Sequence, residues 1–126
     1  MTWDSKYFTE NEMRCQCGCG RVGMEKAFME KLNYLRTIYD KPMVVSSGYR
    51  CPDHPIEARK PSPGAHATGK AADIAVDKAD ALRLVYLAIE FGFTGIGVQQ
   101  KGNGRFIHLD TCTEKDGFPR PTIWSY

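Results

Sequence analysis

Residues 73–110 read DIAVDKADALRLVYLAIEFGFTGIGVQQKGNGRFIHLD, and the order of patterns in this stretch decides the fold. Residues 73–76 form a short run with strand character, begun by Asp73. Asp77 can cap a helix whose Ala81, Leu84, Val85, Ala88 and Ile89 line one side until Gly92 ends it. Residues 94–99 and 105–110 then flank Lys101-Gly102-Asn103-Gly104, the pattern of an antiparallel hairpin closed by a glycine turn. Toward the amino terminus, residues 43–46 read as another short strand, closed by Gly48. Before it, Met24, Phe28, Leu32, Leu35 and Ile38 fall three or four apart, one face of an amphipathic helix that stops near Asp40 ahead of Pro42. Thr9-Glu10-Asn11-Glu12 has the form of a capping box and predicts one helical turn. The order helix, strand, loop, strand, helix, hairpin gives an α+β fold with a small, mainly antiparallel sheet and flanking helices.

The remaining segments are loops. Residues 15–23 are glycine-rich. Residues 51–64 hold Pro52, Pro55, Pro61 and Pro63, which exclude ladder hydrogen bonds. A loop that long in a small domain is usually functional or disordered. The last dozen residues, rich in proline and aromatics, are expected to pack back on the body.

At 126 residues the chain has room for one domain, taken as residues 1–126, because two would each be marginal. Seventeen basic against fifteen acidic residues, written Lys+Arg 17 and Asp+Glu 15, leave a net charge of +2, too balanced for a general nucleic-acid binder. No apolar run reaches the roughly 18–20 residues needed to cross a bilayer, so membrane insertion is not expected. The first residues lack a basic region followed by an apolar stretch. The expectation is therefore synthesis in the cytoplasm without a secretory signal. Oligomeric state is not legible.

Three residues carry the candidate chemistry: His66, Asp73 and His108. In the last strand, alternation puts Phe106, His108 and Asp110 on one face and Ile107 and Leu109 on the other. Small residues at Gly69, Ala71 and Ala72 permit close backbone approach beside Asp73. Two imidazoles and a carboxylate suit a divalent metal, zinc by default, with one coordination position left for water. Such an ion brings the pKa of its water toward roughly 7 and polarises a carbonyl, so amide hydrolysis follows. Taken from spacing alone the signal is weak, and a loop hydrogen bond for His66 and a satisfied strand position for His108 stand open beside it.

The motifs Ser47-Gly48-Tyr49-Arg50-Cys51-Pro52 with His54, then His66-Ala67-Thr68-Gly69-Lys70-Ala71-Ala72-Asp73-Ile74, then Phe106-Ile107-His108-Leu109-Asp110, resemble the zinc D-Ala-D-Ala carboxypeptidases. Within that family, the short, single-domain branch with many bacteriophage members is the most similar. The resemblance spans about residues 8–112, including Cys15-Gln16-Cys17-Gly18-Cys19-Gly20. It implies a hedgehog/DD-peptidase-like fold and one catalytic Zn2+ held by His66, Asp73 and His108. It also implies that Arg50 grips a negatively charged group of a peptidoglycan stem peptide; a planar, permanently charged guanidinium matches a carboxylate. The site of action implied is the bacterial cell wall, reached by a phage-type route.

Departures from the family pattern bear on proton handling. Arg105 stands three positions before His108, where related enzymes often carry a glutamate. Gly64 stands where many have a serine, and Pro55 replaces the usual asparagine after His54. A peptidase needs a group to take a proton from water and pass it to the leaving amine. Asp110 and His54 are the candidates, with orientation of His108 an equal role for Asp110. Two readings follow: a D,D-carboxypeptidase or endopeptidase, or a zinc-containing wall-binding or structural module without catalysis. An iron(II) oxygenase would need more strands than this chain can supply beside two helices.

Five cysteines, Cys15, Cys17, Cys19, Cys51 and Cys112, without a recognisable signal argue against a full disulfide framework. The C-x-C-x-C spacing differs from the usual C-x2-C zinc knuckle. Thiols without metal are the expected state, although a structural zinc using Cys51 or Cys112 fits the same residues.

Overall fold

The structure is a computed structural model and describes residues 3–126. Its helices are α1 (Glu10–Met13), α2 (Lys26–Tyr39), α3 (Pro55–Ala58) and α4 (Lys78–Glu90). Its strands are β1 (Val44–Ser47), β2 (Ala71–Ala75), β3 (Gly95–Gln99), β4 (Phe106–Asp110) and β5 (Thr122–Ser125). They form one sheet in the order β1-β2-β4-β3-β5. All neighbours are antiparallel except β3 and β5, which run parallel. The α+β, mainly antiparallel architecture is that expected from the sequence.

Local chemistry sets the boundaries. The capping box at Thr9 is formed: its hydroxyl accepts from Glu12 N at 3.2 Å, and Thr9 N donates to the Glu12 carboxylate at 3.0 Å. Helix α2 starts two residues after Met24 and closes with Asp40 in the left-handed region. Strand β2 begins at Ala71, so Asp73 is its central residue rather than its first. Asp77 precedes α4, but its side chain makes no capping bond.

Two elements lie where a loop or an undefined tail was expected. The proline-rich segment contains α3, because Pro55 sits at the first helical position, where its missing N–H costs nothing, and the His54 ring accepts from Ile56 N at 3.1 Å. The tail adds β5 beside β3, its N–H of Thr122 donating to Thr94 O at 2.9 Å.

One apolar face of the sheet, with Ala72 and Ile74 of β2, Ile96 of β3 and Ile107 and Leu109 of β4, shares a core with α2 and α4. Phe28, Met29, Leu32 and Leu35 come from α2, and Ala81, Leu84 and Ala88 from α4. Ile38 is only half-buried, and Ile89 is 58% exposed, lying with Leu82 and Tyr86 on the open side of α4. The α4 stripe is thus narrower than the sequence suggests, spaced i, i+3, i+7. The sheet's other face carries Asp73, His108 and Asp110, with Phe106 and Trp124 beside them. Among the described residues, no helix is long and apolar enough to cross a membrane.

Candidate metal centre

Asp73 and His108 lie directly opposite each other on β2 and β4. Both point away from the apolar core because their neighbours Ala72, Ile74, Ile107 and Leu109 occupy it. His66 reaches the same place from a single 3-10 turn, Ala65–Thr68, that precedes β2. Gly69 closes that turn at φ 79°; a Cβ there would fall 2.0 Å from Gly23 O, so the motif requires glycine.

The three side chains meet closely. His66 Nε2 lies 3.2 Å from Asp73 Oδ1, His108 Nδ1 lies 3.1 Å from the same oxygen, and the two nitrogens are 3.3 Å apart. The outer nitrogens fix the tautomers. His66 Nδ1 lies 2.8 Å from Gly48 O, a carbonyl that can only accept, so Nδ1 carries the hydrogen. His108 Nε2 donates to Asp110 Oδ2 at 2.6 Å. In neutral rings, the inward Nε2 and Nδ1 therefore present bare lone pairs to each other and to a carboxylate oxygen. Three acceptors with no donor among them repel unless a cation lies between.

The donor set fits zinc. Ligand atoms about 2.0–2.2 Å from a tetrahedral ion are spaced by roughly 3.4 Å, close to the separations seen here. His66, Asp73 and His108 are all buried and form one of two groups able to hold a metal among the described residues. Electrostatics point the same way. Burial opposes the charge on Asp73, but the imidazoles of His108 and His66 beside it hold its carboxyl well below the usual range. Burial also disfavours a proton on His108, yet Asp110 and Asp73 outweigh it and raise that pKa. The site asks for positive charge at the point where the three atoms converge.

Asp110 stands behind His108. It is fully buried, donates nothing, and accepts from His108, from Cys112 N at 3.1 Å and from both arms of Arg120 at 3.0 and 2.8 Å. Burial pushes its pKa up, but His108 and Arg120 bring it down to about 2. Gly95, paired with Asp110 across the sheet, makes room for this carboxylate: a Cβ there would lie 2.2 Å from Asp110 Oδ1. His54 caps α3 and is not among the residues lining the cavity beside the three candidate ligands.

That cavity has a volume of about 440 Å3. Arg50, Lys60 and Ala65 form part of its wall, with Phe118, Trp124 and Tyr126 from the carboxyl-terminal segment. Arg50 Nη2 is 3.6 Å from Asp73 Oδ2, and its Nη1 is 3.4 Å from Glu57 Oε2. Glu57 is fully buried and also accepts from Lys60 Nζ at 2.9 Å and Gly64 N at 2.7 Å. Sequence reasoning missed Glu57, Arg120, Trp124 and Tyr126. A charged residue inside a proline-rich loop gives no burial signal, and the tail lacks strand periodicity. Arg105 does not reach the site: its Nε donates to Gly102 O at 3.0 Å in the β3–β4 turn.

A family model described as Peptidase M15 matches residues 6–110. No curated protein matches the chain.

Proposed function

Because the chain belongs to the peptidase M15 family, we propose that it is a zinc metallopeptidase that hydrolyses peptidoglycan stem peptides as a D,D-carboxypeptidase or endopeptidase. The observation that carries this reading is the convergence of three lone-pair atoms on one point beside an open cavity with a cationic wall. Zinc held by His66, Asp73 and His108 supplies Lewis-acid polarisation and a water acidic enough to react near neutral pH.

The chain's own residues divide the remaining work. Arg50 binds an anionic group of the peptide, such as a terminal carboxylate, and Lys60 adds a second positive charge on the same wall. Glu57 positions Arg50 from below by accepting one guanidinium arm. Asp110 acts as a positioning residue: it fixes the tautomer and ring angle of His108 rather than meeting substrate, because all its approaches are occupied. Phe118, Trp124 and Tyr126 offer flat apolar surface for the peptide stem.

One observation favours the second reading, a wall-binding or structural module that keeps zinc without turnover. Among the described residues that line the cavity, Asp73 has the only side-chain carboxylate, and it is a candidate ligand. Digestion of purified stem peptides by the zinc-loaded wild type and by Asp73→Ala separates the two. Cleavage by the wild type alone, abolished by chelator and restored by zinc, is expected. A zinc-loaded wild type that binds wall fragments but cuts none would overturn the peptidase reading.

A further inference from the structure

The second group able to hold a metal lies outside the cavity. Cys15, Cys17, Cys19 and Cys51 bring their four Sγ atoms within 4.8 Å of one another. Cys15 Sγ and Cys17 Sγ are 3.4 Å apart, and Cys17 Sγ and Cys51 Sγ are 3.5 Å apart. These separations are too long for a disulfide, about 2.05 Å, and near the roughly 3.8 Å edge of a tetrahedron of sulfurs about 2.3 Å from zinc. All four cysteines are free.

The backbone is arranged for such a cluster. Gly18 (φ 91°) and Gly20 (φ 79°) are both left-handed, so the chain reverses around successive cysteines and presents three thiols to one side. No atom lies within 4 Å of a Cβ built at either glycine, so conformation rather than crowding explains them. Cys15 N donates to Arg21 O at 2.9 Å and closes the loop at its base. Two sulfurs receive backbone hydrogen bonds suited to thiolates: Cys51 N to Cys15 Sγ at 3.3 Å and Arg21 N to Cys19 Sγ at 3.4 Å. Cys112 stands apart, its Sγ 3.7 Å from Thr68 Oγ1.

We infer that Cys15, Cys17, Cys19 and Cys51 form a structural zinc site, separate from the His66–Asp73–His108 centre. This departs from the metal-free thiols expected from the C-x-C-x-C spacing. The spacing is accommodated because the left-handed glycines replace the usual knuckle turn. With four protein ligands the site has no position for substrate, so its work is mechanical. It ties the amino-terminal loop to Cys51, the residue next to Arg50, whose N–H donates to His66 O at 3.2 Å. The metal thereby braces the segment that carries both the substrate-facing arginine and one candidate ligand of the other centre.

Zinc per chain decides the matter. The full chain is purified under reducing conditions, zinc-loaded, desalted and analysed by mass spectrometry for metal. The wild type is expected to hold about two zinc ions, and Asp73→Ala and Cys17→Ser about one each. Cys17 is exposed, so this variant perturbs little packing. Cobalt-loaded Asp73→Ala should show thiolate-to-metal charge transfer and intense tetrahedral bands, which decides the case even if Cys17→Ser does not fold. Zinc-free Asp73→Ala, a cobalt spectrum without sulfur charge transfer, or an intact mass lowered by disulfide formation would each overturn the site. Failure of peptide cleavage would not: the zinc count and cobalt spectrum of this cluster are independent of turnover.

Discussion

Asp110 and Gly97 show how single atoms set the candidate centre. Replacing Asp110 by Asn keeps the shape but removes the charge that holds His108 Nε2–H and Arg120. Groups that orient a metal-ligating histidine are worth about 10–100-fold in metal affinity. Asp110→Asn is therefore expected to weaken zinc binding at the histidine centre by about that factor, read by competition with a calibrated chelator. Unchanged affinity would reduce Asp110 to a packing role. Gly97 faces His108 across the β3–β4 pair, and a Cβ there would lie 2.8 Å from Trp124 Nε1 and 2.9 Å from His108 Cβ. Gly97→Ala should cost about 1–3 kcal/mol as an overpacked site and displace His108, lowering the urea midpoint and zinc affinity together. His66 and His108 are two of only three histidines, but Asp73 is one of eight aspartates, and residue type and spacing alone leave the trio open; the three ordered family motifs are what single it out. Gly95 and Gly97 were read only as strand residues, since nothing in one sequence says which side chain a missing Cβ accommodates.

Elements were legible in proportion to their periodicity. Helices α2 and α4, strand β4 and the β3–β4 hairpin follow from repeating apolar positions and glycine punctuation, which register burial directly. Strand β5 and helix α3 do not. The first is a short edge strand in which Thr122 and Trp124 are half-buried and Ile123 and Ser125 exposed, an alternation that the residue types themselves do not show. The second is one turn held by a proline and a histidine cap, too short for any repeat. Asp40 offers a test at this scale. It ends α2 at φ 57°, a left-handed position, and its N–H donates to Arg36 O at 3.0 Å. Glycine takes that conformation without the Cβ contact that penalises other residues. Asp40→Gly should raise stability by about 0.5–1 kcal/mol, seen as a higher denaturant midpoint at unchanged slope. A lower midpoint would mean that the Asp40 side chain contributes more than its backbone strain costs.

Across the whole molecule, the cavity exists because segments distant in sequence are pinned over the polar face of the sheet. Glu57 holds Arg50, Lys60 and Gly64, Asp110 holds Arg120, and Asp116 holds Lys70 at 3.0 Å. Each pin has a carboxylate at its centre, which makes the cover acid-sensitive. For Glu57, burial raises the pKa, but the Lys60 ammonium, Gly64 N–H and Arg50 outweigh it, so the folded value lies below the ordinary one. Asp116 is lowered by the Thr113 N–H and by Lys70. A carboxyl with a depressed folded pKa binds its proton more readily in the unfolded chain. Its stabilisation is complete above the unfolded value, about 4.3 for glutamate, and is lost as pH falls through the folded value. In chelator-treated protein, where zinc release cannot contribute, stability should fall progressively below about pH 5. Glu57→Gln lacks the charge that Arg50 and Lys60 address and should be less stable at pH 7 by roughly 1–3 kcal/mol. As acid protonates Glu57 the two proteins become alike, so their urea midpoints should converge as pH falls below the ordinary glutamate value and through the lower folded one. Parallel curves over that range would show that the Glu57 charge does not hold the cover in place, and Arg50 would then owe its position to Asp73 and the backbone.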